Sequence, residues 1–212
     1  IDAIRKAKRT GPDYRLKDYN RWYLYLLVFV VGQVGFGLTD RYTRVNFVEN
    51  FRVPSSSNYP NIIPGAAVIA TKVIYRHKNP KRGDLVVLLN PSDRKINFIK
   101  RVVAVAGDTI EMKDNRVYVN GEKLEKQKLA DKIPDNIKIK SGGEALEGEI
   151  FYEINGEAGY KIFLAEPPHD RASQDYGKKT VPANHCFVLG DNRNDSYDSR
   201  NFGFIPVGTI KA

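Results

Sequence analysis

The sequence predicts a mostly β fold standing behind a single apolar helix. Three observations carry that prediction. An uncharged stretch runs from Trp22 to Thr39, short apolar runs separated by turn residues follow from residue 51 onward, and no long amphipathic helical pattern interrupts them. With 212 residues, 42% of them hydrophobic and 11% aromatic, the chain can bury a sizeable core, which excludes a disordered tail. The chain opens at Ile1, without a methionine, which predicts coding sequence upstream.

The N-terminal segment divides into a charged part and an apolar part. Residues 1–21 carry seven Lys/Arg against three Asp, and the apolar run WYLYLLVFVVGQVGFGLT then ends at Asp40 and Arg41. At about 1.5 Å per helical residue the run covers about 27 Å, close to the ~30 Å hydrocarbon thickness of a bilayer. It predicts a transmembrane helix over 22–39, with Trp22, Tyr23 and Tyr25 at one interface. The basic flank of residues 1–21 predicts a cytoplasmic N-terminal side, so the rest of the chain is expected across the membrane.

The strand candidates are Ala67 to Tyr75, Asp84 to Leu89, Ile96 to Val105, Thr109 to Met112, Arg116 to Val119, Gly148 to Ile154, Tyr160 to Leu164 and His185 to Leu189. Asn120-Gly121 and the Lys113-Asp114-Asn115 stretch supply hairpin turns. Glu122 to Glu147 is rich in Lys, Glu and Gly and reads as a polar excursion. We expect a main β domain formed by residues 40–112 and 185–212, with an accessory β lobe over 113–184.

Charge and cysteine content narrow the chemistry. A net charge of +9 fits an anionic partner, either nucleic acid or a membrane surface. No helix-turn-helix pattern accompanies it and a spanning segment does, which favours lipid and argues against a DNA-binding, self-cleaving regulator. The one cysteine, Cys186, has no partner for an internal disulfide, and no Cys/His ligand spacing occurs. No metal site is therefore expected.

Three consecutive serines, Ser55, Ser56 and Ser57, sit in a loop bracketed by Pro54 and Pro60. A serine nucleophile needs a base, yet His77, His169 and His185 lie among charged or loop-like residues and no GxSxG turn is present. The other route is a lysine whose ammonium form is disfavoured by desolvation. In INFIKRVVAV, strand alternation places Ile96, Phe98, Lys100 and Val102 on one face, so Lys100 has apolar neighbours on both sides and is a candidate base.

The blocks VPSSSNYPNI, RGDLVVLLNP, NFIKRVVAVAGD and FVLGDNRNDSYDSRNFGFIP resemble, in order and spacing, bacterial type I signal peptidases, which are Ser/Lys serine proteases. The likeness covers roughly residues 22–206, and GDNRNDSYDSRNF is its most specific part. It implies a signal-peptidase-like β-rich catalytic domain behind the transmembrane helix, with Ser57 as nucleophile and Lys100 as general base. Ser55 would help form the oxyanion hole, Ser196 would orient the lysine, and this chemistry would need no metal or organic cofactor. Asp191, Arg193, Asp198 and Arg200 would support the site. Phe51, Val53, Pro54, Asn58, Ile62, Phe98 and Ile99 would bind substrate, an extended segment lying beside Phe51 to Ser55.

The resemblance further implies preproteins with small residues before the cut as partners, a lipid bilayer and no nucleic acid. It also implies residence in a bacterial cytoplasmic membrane with the catalytic domain on the extracytoplasmic side. Asn58, Asn61, Ile62, Ala104 and Ala106 depart from the family pattern. Asn58 puts a polar group where the family has an apolar pocket wall. A catalytically impaired relative that binds signal sequences or scaffolds export proteins is the alternative.

Overall fold

A computed structural model describes residues 21–114, 116–130, 140–141, 144–145, 147–166 and 175–212. Residues 1–20 of the basic segment, residues 131–139, 142, 143 and 146 of the polar excursion, and His169 lie outside the described residues. The chain forms two units, Ile1–Asn46 and Phe47–Ala212.

In the first unit a helix runs over Trp22–Asn46, and its Trp22–Thr43 portion is long and apolar enough to cross a membrane. Its large apolar side chains, Leu27, Phe29, Val31 and Phe36 among them, are exposed. A soluble surface does not carry such a run, whereas lipid solvates it at no cost. The helix continues past Thr39, where the uncharged stretch ends. Charged residues end a match to hydrocarbon, but Asp40 and Arg41 do not stop a helix. The hydroxyls of Thr39 and Thr43 donate back to carbonyls one turn earlier, Thr39 to Phe36 O at 2.9 Å and Thr43 to Thr39 O at 2.8 Å.

The second unit is built of strands. β1 (Val48–Arg52) pairs antiparallel with β2 (Ala67–Thr71). β3 (Leu85–Leu89) and β4 (Asn97–Val105) form a sheet with β14 (His185–Leu189) and β15 (Ile205–Pro206), in the order β15-β14-β4-β3. A second sheet, β13-β5-β6-β7, joins Tyr176–Thr180 to Thr109–Lys113, Arg116–Val119 and Glu122–Lys123. A third, β12-β11-β8, joins Ala158–Glu166, Glu147–Asn155 and Glu125–Lys128. A minimal pair, β9 (Lys140–Ser141) with β10 (Glu144–Ala145), completes the set.

The buried apolar residues explain how the sheets meet. Val86, Leu88, Val102, Cys186, Val188 and Ile205 pack on one face of the β3–β4–β14 sheet. Val103, Ala104, Phe187 and Leu189 pack with Ile110, Met112, Val117, Val119 and Val181, gluing that sheet to the second one. Strict alternation would send Val103 and Ala104 to opposite faces. A bulge in β4 prevents it: Phe187 pairs with Ala104 and Val188 with Val102, which leaves Val103 as an extra residue. Upstream of the bulge the alternation holds, so Lys100 stays with Phe98 and Val102 and its Nζ lies 5.5 Å from the Phe98 ring centroid. Cys186 lies inside this core, where burial pushes its thiol up to about 12 and leaves it inert.

Candidate active site

The serine loop is the continuation of β1 beyond its last paired residue. Val53 N donates to Ala66 O at 2.9 Å and Gly65 N donates to Val53 O at 2.7 Å, which holds the loop's base closed. Pro54, with no N–H to give, ends the ladder. Turns then form as Tyr59 N donates to Ser56 O (3.0 Å) and Ile62 N to Asn58 O (2.9 Å). The Tyr59 ring is buried edge-on against Phe163, with centroids 5.2 Å apart, and anchors the loop on β12.

Ser55, Ser57 and Lys100 line one cavity of about 700 Å³, together with Phe51, Val53, Pro54, Asn58, Phe98 and Ile99. Ile62, the remaining residue assigned to substrate, is buried beside the loop and does not line the cavity. Ser55 Oγ and Ser57 Oγ lie 3.2 Å apart. Lys100 is only 3% exposed, and its Nζ donates to Ser196 Oγ at 3.0 Å. Burial pulls the lysine from its usual 10.5 down to about 8, with Asp198 opposing and Arg200 assisting the shift. The amine is thus partly neutral near physiological pH and keeps a lone pair to accept a proton. His185 lines a separate small cavity, and its Nδ1 is engaged with Ala183 O. Among the described residues, no group of three His, Cys, Asp or Glu side chains has an arrangement that could hold a metal ion.

The block from Gly190 to Arg200 holds this arrangement in place, and most of its polar residues have a structural task. Asp191 accepts two hydrogen bonds from Arg101, at 2.6 and 2.7 Å, and a third from Asn61. Asn192 N donates to Ser57 O at 3.1 Å, tying the nucleophile's own main chain to the block. Arg193 forks onto Glu153 of β11, and Asn194 donates to Ala165 O of β12. Asp195 accepts from Ser56 Oγ at 3.1 Å. Asp198 accepts from Gly190 N, pairs with Arg200 and caps the helical turn Ser199–Phe202. Burial by itself would raise the Asp198 carboxyl, but Arg200 and Lys100 hold it below the usual carboxylate range. It therefore stays an anion. Burial opposes the charge of Arg193, and Glu153 more than restores it, so that guanidinium stays charged as well.

Asp191, Arg193, Asp198 and Arg200 are expected from the resemblance as support for the site, with Asp198 and Arg200 as an acidic and basic pair. Asp198 and Arg200 form an ion pair in the fold, and Asp191 and Arg193 are paired with Arg101 and Glu153. Glu153 gave no signal, being one of several glutamates on an alternating strand. Arg101 did leave one, since alternation sets it on the face of β4 opposite Lys100. Asn58, expected as a pocket wall, is 1% exposed and turns its amide Nδ2 to Ile99 O at 2.7 Å.

A family model described as "Signal peptidase, peptidase S26" matches residues 21–212. The chain is 36% identical to "Signal peptidase I" of Pseudomonas aeruginosa, over 72% of this chain and 55% of that protein. It is 30% identical to "Signal peptidase I" of Buchnera aphidicola over 77% of this chain and 67% of that one. It is 28% identical to "Probable signal peptidase I-2" of Synechocystis over 95% and 72%. The chain thus spans between about half and three quarters of the length of these relatives.

Proposed function

The chain belongs to the signal peptidase, peptidase S26, family, and on that footing we propose that it is a membrane-anchored serine endopeptidase that removes signal peptides from exported preproteins. The observation that carries the reading is a buried lysine, Lys100, hydrogen-bonded to Ser196 and lining the same cavity as Ser57. In this reading the neutral Lys100 amine takes the Ser57 hydroxyl proton as Oγ attacks the scissile carbonyl carbon. The resulting ammonium then protonates the departing amine as the peptide C–N bond breaks. Water, deprotonated by the regenerated amine, hydrolyses the acyl-serine and returns the site to its starting state. The Ser57 N–H and the Ser55 hydroxyl stabilise the oxyanion.

The cavity walls of Phe51, Val53 and Ile99 fit small side chains before the cut, and the substrate lies extended beside the chain leading from Phe51 to Ser55. Asn58 does not argue for an impaired relative. Its amide is spent on Ile99 O, and Ser55, Ser57 and Lys100 all still line the cavity. The Trp22–Thr43 helix supports a bilayer anchor, with the second unit on the extracytoplasmic side of a bacterial cytoplasmic membrane. Expressed in bacteria, the chain is expected to stay with membranes through an alkaline carbonate wash and to be released by detergent. Release by carbonate alone would remove the anchor from this reading.

The test is cleavage of a preprotein carrying an Ala-Xaa-Ala site by the purified full chain in detergent, with Ser57→Ala as blank and mass spectrometry of the new N-terminus. Because only the neutral amine accepts a proton, and Lys100 loses its charge at about 8, kcat/KM is expected to rise about tenfold per pH unit below that point and to level above it. A profile already flat from pH 6 upward would reject a lysine base.

A further inference from the structure

The loop carrying Ser57 and the strand carrying Lys100 touch through one side chain that the proposed chemistry does not use. Asn58 follows the nucleophile, Ile99 precedes the base, and the Asn58 Nδ2 to Ile99 O hydrogen bond of 2.7 Å joins them. The strand pairing explains why that carbonyl is free to accept. Ile99 stands opposite Val87 on β3. Val87 gives its own N–H to Ala212 O and accepts from Lys211 N at its carbonyl, so it makes no ladder bonds to Ile99. In an antiparallel ladder the main-chain groups of such a residue point to the other edge, which is where the serine loop lies.

The remaining half of the amide is unsatisfied. Asn58 Oδ1 is buried and has no hydrogen-bond partner among the described residues. A carboxamide that uses only its donor side is a costly way to fill a buried space, and an apolar side chain would fill it at lower cost. Meanwhile the other flank of the nucleophile is held independently, by Ser56 Oγ on Asp195 and by Asn192 N on Ser57 O. The Asn58 bond ties the loop directly to the strand of the base.

We propose that Asn58 is a positioning residue whose amide clamps the serine loop to β4 and so fixes the reach and the desolvation of Lys100 beside Ser57. This rests on the Ser57/Lys100 reading of the site. Without the clamp the loop keeps its other anchors, but the gap between loop and strand opens and water reaches the lysine. Two effects follow together: fewer encounters in reactive geometry, and a lysine that holds its proton to higher pH. A residue that served folding alone would produce neither at a temperature where the protein stays folded.

Asn58→Met removes the donor and fills the space with apolar volume, while Asn58→Asp is isosteric and places a carboxylate against the Ile99 carbonyl. In the full chain, on a quenched peptide carrying Ala-Xaa-Ala, Asn58→Met is expected to lower kcat about tenfold with KM little changed. Its rising pH limb is expected to move up by about half a unit as the amine rehydrates, while thermal unfolding stays at or above the wild-type midpoint. Asn58→Asp is expected to show a larger loss and a larger upward displacement of the limb. Should both variants keep kcat within twofold and leave the limb in place, or should lost activity simply follow lost folding, the clamp is refuted. Ser57→Ala in the same assay separates the two levels of inference: residual cleavage there refutes the site itself, whatever the Asn58 variants do.

Discussion

Replacing Lys100 with methionine is expected to abolish cleavage and to make the protein harder to unfold at neutral pH. The loss of activity follows from removing the proton acceptor of Ser57, and about 10⁴-fold is the upper range of what a positioned base contributes. The gain in stability follows from the position of the amine, enclosed between Phe98, Ser196 and the cavity wall. The lysine drops from 10.5 to about 8 on folding, chiefly through burial. Below pH 8 both folded and unfolded chains hold the proton, and the folded one must bury the charge.

At about 1.4 kcal/mol per unit of displacement, this penalty is roughly 3 kcal/mol. Between pH 8 and 10.5 the unfolded chain still binds the proton that the folded chain has released, so wild-type stability rises across that window. Methionine has a similar length and no charge. It forfeits the Ser196 hydrogen bond and a favourable neighbour for Asp198, leaving an expected net gain of about 1–2 kcal/mol at pH 7. For a chain of this length that is a rise of several degrees in Tm, roughly 2–4 °C per kcal/mol. Parallel thermal scans at pH 7 and pH 10 check it: the advantage of Lys100→Met must shrink at the higher pH. A variant less stable than wild type at pH 7 would mean that the amine is well solvated and unsuited to act as a base.

The desolvated lysine was legible in the sequence because period-two alternation is a local property. Four residues, Ile96, Phe98, Lys100 and Val102, sufficed to give it apolar neighbours. The bulge at Val103 was not legible, since nothing in VVAV distinguishes a bulged strand from a regular one, and the extra residue exists only in relation to β14. β8, with the sequence EKQK, was lost in the polar excursion for a related reason. An edge strand paired to β11 on one side owes its conformation to ladder hydrogen bonds, and its charges guard the open edge. β13, with YGKKT, was missed in the same way. Ala67 to Tyr75 was expected as one strand, but the pairing ends at Thr71 and a helical turn covers Ile74–His77. The convergence of residues 57, 100 and 196 is a long-range fact. No periodicity contains it, and only the likeness of four blocks to a known family pointed there.

The residue on which that convergence rests drew no attention in the sequence, because it is a glycine within the motif GDNR. At Gly190 a Cβ would fall inside the contact distances of Ser196 Oγ and Cβ on one side and of the Ser57 carbonyl oxygen on the other. Glycine is needed here for close approach, with the orienter of Lys100 and the main chain of the nucleophile packed against the same α-carbon. Gly190 cannot retreat from an added methyl. Its N–H donates to Asp198 Oδ2 at 3.0 Å, and the next residue, Asp191, is gripped by Arg101 and receives Phe163 N at its carbonyl at 2.8 Å. The displacement therefore falls on Ser57 and Ser196.

Gly190→Ala is accordingly expected to lower kcat at least 100-fold, the order of loss that a misplacement of about 1 Å produces. Overpacking is expected to cost about 1–3 kcal/mol of stability, leaving a folded protein at assay temperature. Gly208→Ala is the matched control, since a Cβ there would meet nothing within 4 Å, and it is expected to keep full activity. Kinetics of both variants on the Ala-Xaa-Ala peptide, with thermal unfolding run alongside, make the comparison. If Gly190→Ala cleaves within fivefold of wild type, Ser57 and Ser196 do not share that α-carbon as a common floor, and the packing that brings nucleophile, base and orienter together has been assigned to the wrong residue.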